Sequence, residues 1–222
     1  MVQRLSVSFG LFACLLLSAS LASANSAELL TFAGLQNGQL IGNFYNGAGL
    51  PTTPNFGVTF SSNFYGLKSI SQGGGGNFSS TPFGNPAIFI MGTTGVPVTG
   101  SMNVTNGFST GINFFYTAAF QETVTVWSGA NGTGTVLATM ALSANDANCT
   151  AVAYCNWTNV GLTFSGKAVS VTFSGPANGL GLADITLGQS MTAVPEPSSI
   201  YLLGTGFVGF CAQRIRRLKS SS

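Results

Sequence analysis

The residues between positions 25 and 193 predict an all-β domain, a sandwich or a barrel, and three observations carry that expectation. Only 5% of the 222 residues are charged, against about 25% in an average soluble chain. Glycine, serine, threonine and asparagine supply the polarity instead, with 30 glycines in total. Short runs of alternating apolar and polar residues recur at roughly ten-residue intervals, while no stretch holds an apolar stripe of helical period.

The clearest strands are expected at residues 57–61, 87–91, 112–116, 123–128, 136–142, 160–164, 169–173 and 182–187. In Val169-Ser170-Val171-Thr172-Phe173 the apolar side chains fall on one face, the period of a half-buried strand. Asn131-Gly132, inside the polar run 128–134, is a strong hairpin signal. Residues 175–179 read as another loop, and the glycine run 73–76 as a flexible loop tip. The similar runs 163–166 and 172–175 read as two neighbouring strands of like pattern.

Charge and composition exclude several functions. The net charge of +2 belongs to the ends of the chain. Between residues 25 and 193 there are two bases, Lys68 and Lys167, and four acids, Glu28, Glu122, Asp146 and Asp184. Nucleic-acid binding needs clustered Lys and Arg, so it is not expected of this domain. The chain has no histidine. That removes the commonest general base and metal ligand, and with them Ser-His-Asp catalysis and the usual hydrolytic zinc sites.

The two ends read as export and sorting segments. Residues 1–24 have the parts of a signal peptide: Arg4, an apolar run from Phe9 to Leu17, and the small residues Ala22 and Ala24 at the cleavage site. The apolar run is too short to span a membrane comfortably. Near the other end, proline on both sides of Glu196 stops helix and sheet and marks a boundary, leaving a tail from 194 to 222. A short transmembrane helix is expected over 198–212. It would rise about 22 Å against a hydrocarbon core of about 30 Å. Arg214, Arg216, Arg217 and Lys219 follow it and would stay on the cytoplasmic side.

Pro195-Glu196-Pro197, a short Leu/Gly-rich apolar helix and a terminal Arg cluster, in that order, resemble the PEP-CTERM sorting tail of exported bacterial proteins. The resemblance implies that Pro195, Glu196 and Pro197 are recognised by an exosortase, a membrane protease-transpeptidase that cuts near the motif. The partners implied are therefore signal peptidase and an exosortase-type enzyme. An unprocessed tail anchor is the alternative. The location implied is export across the inner membrane, transient anchoring, and then the cell surface or exterior.

Cys149 and Cys155, the cysteines outside the end segments, form an even pair closing a small loop and read as a disulfide. The run Gly179-Leu180-Gly181-Leu182-Ala183-Asp184-Ile185-Thr186-Leu187 is similar to the final strand of jelly-roll modules of the carbohydrate-binding kind. That likeness narrows the fold to a β-sandwich of jelly-roll type. It also implies a structural calcium, held by an acid on the first strand and one on the last, here Glu28 and Asp184; otherwise no cofactor is expected. Without calcium, Asp184 would cap a turn and Glu28 would be solvated.

The function expected is that of a non-catalytic surface or extracellular-matrix protein associated with polysaccharide. Tyr45, Phe64, Tyr65, Tyr154 and Trp157, in or near expected loops, are candidates for stacking on sugar rings. Two alternatives stay open, a glycan-active hydrolase or lyase and a self-associating structural subunit. A glycosidase needs two carboxyls at a defined separation, and the domain offers four acids, none in a recognisable motif.

Overall fold

The computed structural model describes residues 27–189. The signal peptide, the tail helix and the sorting motif lie outside them. Among the described residues no helix is long and apolar enough to cross a membrane. The strands in chain order are β1 (Glu28–Leu30), β2 (Gln39–Leu40), β3 (Val58–Phe60), β4 (Phe64–Leu67), β5 (Ala87–Ile90) and β6 (Pro97–Phe108). They continue as β7 (Gly111–Ala118), β8 (Glu122–Trp127), β9 (Val136–Leu142), β10 (Thr158–Thr163), β11 (Ala168–Pro176) and β12 (Leu180–Leu187).

These strands form two sheets packed face to face. The larger runs β10-β7-β12-β5-β4-β2, with β1 paired to the second half of β12. The smaller runs β3-β6-β11-β8-β9. The expected β-sandwich is thus the observed architecture, and all eight expected strands are present.

The core lies between the sheets and follows from period-two alternation. Ile88 and Ile90 of β5 and Ile112, Phe114 and Tyr116 of β7 face Met102 and Val104 of β6 and Val171 and Phe173 of β11. Phe173 ties the layers together, its ring edge-on to Phe64 at 6.2 Å and to Phe114 at 5.6 Å. The Phe64 ring fills the place where a Cβ on Gly100 would stand, so β6 needs glycine there. Phe32, Phe44 and Tyr45 from the long β1–β3 connection join the same core.

A second apolar cluster covers the outer face of the larger sheet. Ala87 and Phe89, the alternate residues of β5, pack there with Phe78, Leu67, Met91, Tyr154 and Trp157. The connections 68–86 and 143–157 fold across this face and meet at a bridge between Phe78 and Tyr154.

Several local expectations change. β6 was not expected: Gly100, Asn103 and Gly107 interrupt its alternation, yet it is the longest strand, at 12 residues. The glycine run 73–76 is no free tip. Gly74 N–H donates to Ser69 O and Gly76 N–H to Lys68 O, both at 2.9 Å, drawing the run back onto the chain. The Asn131-Gly132 segment does join the antiparallel pair β8 and β9, as expected of a hairpin, but as a 3-10 segment folded over the smaller sheet, where Asn131 and Asn103 exchange two hydrogen bonds of 2.7 and 2.8 Å. Of the similar runs, 163–166 begins on the last residue of β10 and continues into the turn after it, whereas 172–175 lies in β11, in the other sheet.

Candidate functional site

The aromatic candidates do not form a stacking platform. Tyr45 and Phe64 are core residues, at 2% and 0% exposure. Tyr65 lies in β4 and is half-buried. Tyr154 and Trp157 are half-buried in the second cluster. The Tyr154 hydroxyl donates to Asn178 O at 2.6 Å, and Trp157 Nε1–H donates to Ser79 O at 3.3 Å. Among the described residues, Phe83 and Phe120 are the exposed large aromatics. Neither stood out in the sequence, because exposure is set by the sheet beneath and not by local pattern.

Two carboxylates are buried without partners. Glu122 begins β8 at 2% exposure, and its Oε1 has no hydrogen-bond partner. It sits against Gly175 and Gly179, where any Cβ would collide with its carboxyl group. Burial pushes its pKa up to about 7. Asp184 lies at a register break of β12 with φ of 49°, and neither carboxylate oxygen has a partner. Burial pushes it up to about 6, with the Asn85 side chain acting in the opposite direction. The two acids stand in different sheets. Both are enclosed, and the Asp184 carboxylate caps no turn.

The calcium pair also separates. Glu28 is paired with Leu187, three positions along β12 from Asp184, a spacing of about 10 Å. Among the described residues no three acidic, His or Cys side chains gather to hold a metal. Asp184 alone is a buried, unsatisfied oxygen donor, whereas calcium takes six to eight oxygens. The donor set present does not fit a shared Glu28–Asp184 ion.

Cys149 and Cys155 are joined in a disulfide. Cys155 N–H points at Cys149 Sγ at 2.9 Å, and Asn156 Nδ2 donates to Asn145 O at 2.8 Å. The closed loop is fastened to the other covering connection. Ala153 N–H donates to Asn77 Oδ1 at 3.0 Å and Ser79 N–H to Tyr154 O at 2.8 Å.

A cavity of about 630 Å³ opens where the two sheets meet at one end. Glu28 of β1, Asn106, Gly107 and Phe108 of β6, Ser109, Gly166, Lys167, and Leu187 with Gly188 line it. The β6–β11 pairing jumps from Phe108↔Ala168 to Asn103↔Ser170, so β6 carries extra residues here and bulges outward. Gly107 has φ of +62°, and the Lys167 stem lies where its Cβ would be, 2.5 Å from Cε. The sequence marked Glu28 but not Asn106, Ser109 or Lys167. Asn106-Gly107-Phe108-Ser109 reads locally as a turn, and only the pairing of the sheets brings it to Lys167.

Residues 193–217 match the PEP-CTERM protein-sorting motif. The chain carries the sorting signal of exported proteins that an exosortase processes, and the match includes Pro195, Glu196, Pro197 and the basic residues through Arg217. No curated protein matches the sequence. Among solved structures, a family 6 carbohydrate-binding module aligns at 12% identity and TM-score 0.38, over 73% of this chain and 94% of that one. CsCBM6-3 from Clostridium stercorarium, in complex with cellobiose, aligns at 13% and 0.37, over 73% and 94%. A family 29 carbohydrate-binding module mutant, complexed with cellulohexaose, aligns at 12% and 0.40, over 72% and 90%.

Proposed function

We propose that this chain is a non-catalytic bacterial surface or extracellular-matrix protein, exported, processed through its C-terminal tail, and associated with polysaccharide. The observation that carries the reading is the sorting motif at 193–217 following a β-sandwich domain. Signal peptidase cuts after Ala24, leaving residues 25–193 as the working domain. The exosortase recognises Pro195-Glu196-Pro197 while the apolar segment 198–212 sits in the membrane and Arg214, Arg216, Arg217 and Lys219 hold its inner end. The tail is therefore a substrate for another enzyme.

The surface of the domain supports a passive role. Glu122 and Asp184 are separated and enclosed, whereas a glycosidase holds its two carboxyls on either side of one open cleft. Intact mass of the mature protein, measured by cellular fraction, tests the reading. The expected species begins at Asn25 and lacks residues 198–222. A single species retaining those residues in every fraction would mean a permanent anchor.

A further inference from the structure

We propose that the end cavity binds a neutral saccharide, held by Glu28, Asn106, Ser109 and Lys167. The proposal rests on the reading of the chain as a polysaccharide-associated protein and assigns that association to one place. It begins from the scarcity of charge. The described residues contain six charged side chains, and two of them, of opposite sign, line this cavity. Among the described residues neither Glu28 nor Lys167 makes an ion pair or side-chain hydrogen bond, and the same holds for the side chains of Asn106 and Ser109. Asn63, Asn77, Asn145 and Asn178, by contrast, each bind backbone groups of other segments and serve the fold. Four polar side chains without partners thus converge on one concavity, the arrangement expected of a small-ligand site.

The groups are positioned, not merely exposed. Lys167 is laid across Gly107, whose lack of a side chain makes room for its stem. Ser109 precedes Thr110, a β-branched residue held at φ of 79° in the turn between β6 and β7, a conformation that costs energy and must be maintained by its surroundings. Below them Phe108 is only 4% exposed, its ring edge-on to Phe164 at 5.5 Å, and Leu187 is 1% exposed.

The chemistry selects the ligand class. A carboxylate accepts hydrogen bonds from two adjacent hydroxyls, the ammonium and the Asn106 amide donate to ring or hydroxyl oxygens, and Ser109 does either. Glu28 opposes phosphates and polyuronates, and Lys167 opposes cations, so the balance favours an uncharged polyol. The volume of about 630 Å³ lies within the range of about 300–1,000 Å³ usual for small-ligand clefts.

Calorimetric titration of the full chain in detergent micelles with cellotetraose, mannotetraose and tetragalacturonate tests the assignment. A neutral tetrasaccharide should bind. Glu28→Gln and Lys167→Met, which keep side-chain size, should each weaken it about tenfold or more, as expected for loss of a charged hydrogen bond. Phe83→Ala, on the outer face of the larger sheet, should leave binding unchanged. Tighter binding of tetragalacturonate overturns the neutral class. Undiminished binding by both cavity variants, or loss with Phe83→Ala, overturns the site while leaving the polysaccharide reading intact. If no tetrasaccharide binds but native exopolysaccharide co-sediments with the chain, the cavity assignment alone falls. If neither occurs, both fall.

Discussion

The phenol oxygen of Tyr45 accepts a 2.7 Å hydrogen bond from the backbone N–H of Phe32, whose own φ is 59°. Left-handed backbone costs a residue other than glycine about 1–2 kcal/mol, and Phe32 cannot give way because its ring is fully buried against Tyr45 and Phe60. The bond satisfies a donor that the turn leaves without a ladder partner. Tyr45→Phe keeps the ring and removes the acceptor. Leaving a buried N–H unpaired costs about 1–3 kcal/mol, so the melting temperature should fall by roughly 3–10 °C. Thermal denaturation followed by circular dichroism checks it, and an unchanged melt would show that another group replaces the phenol.

Glu122 and Asp184 predict that the domain is most stable in mild acid. Burial pushes Glu122 up to about 7 and Asp184 up to about 6, both above the values of about 4 that they take when unfolded. The folded state therefore keeps protons that the unfolded chain has released. This stabilisation is complete below the unfolded values and is lost as pH rises through the folded ones. Melting temperature should decline between about pH 4 and pH 7 and level off above. Glu122→Gln and Asp184→Asn should each flatten part of that decline and raise the melt at about pH 8. A profile rising from pH 4 to 7 would contradict the prediction.

Why the burial of these two acids escaped a sequence reading is physically plain. Period-two alternation reveals which residues share a strand face, and it marked β7, β8 and β11 because Ile, Val and Phe alternate with polar residues there, whereas β5 stood out as a short continuous apolar run. It carries no information about which loop closes over a strand end. Glu122 looks exposed in Ala-Phe-Gln-Glu-Thr, and it becomes buried only because Gly175, near the end of β11, and Gly179, in the connection to β12, approach without side chains. β6 failed to register for the converse reason. Its glycines and asparagines look like turn residues, yet Gly100 is required by the Phe64 ring, and Asn103 is engaged by the Asn131 loop. Cavity residues lie further still from local pattern, since Asn106 and Lys167 meet through a pairing that spans 61 positions of chain. The disulfide was legible because export and an even, closely spaced pair suffice to imply it.

The enclosure of Glu122 gives a coupling experiment. A methyl group at Gly175 would occupy the space of the Glu122 carboxylate, and Gly175 has no left-handed backbone to complicate the result. Gly175→Ala alone should destabilise the domain by about 1–3 kcal/mol through overpacking. Glu122→Ala vacates that space, so in its background the same substitution should cost much less. Urea denaturation of both single variants and the double variant measures the difference. Additive effects would mean that the loop relaxes away from β8 instead of pressing on the carboxylate.

The disulfide should govern the cover of the larger sheet more than the sandwich itself. Cys149–Cys155 closes a short loop, and the chain-entropy effect of so small a ring is about 2 kcal/mol. Ala153 and Tyr154 lie within its ring, and they and the following Trp157 are bonded to Asn77 and Ser79. Replacing both cysteines with serine should therefore lower global stability by about that amount and loosen residues 68–86 and 143–157 together. The core strands β6, β7 and β11 are held by separate antiparallel ladders and by the Phe64–Phe173–Phe114 contacts. Hydrogen exchange resolves the two effects. Amides of Ser79 and Tyr154 should lose protection far more than those of Val171 and Phe173, because their bonds join two connections that only this ring and the second apolar cluster hold in place. Uniform loss across all four amides would mean that the cover and the sandwich unfold as one unit.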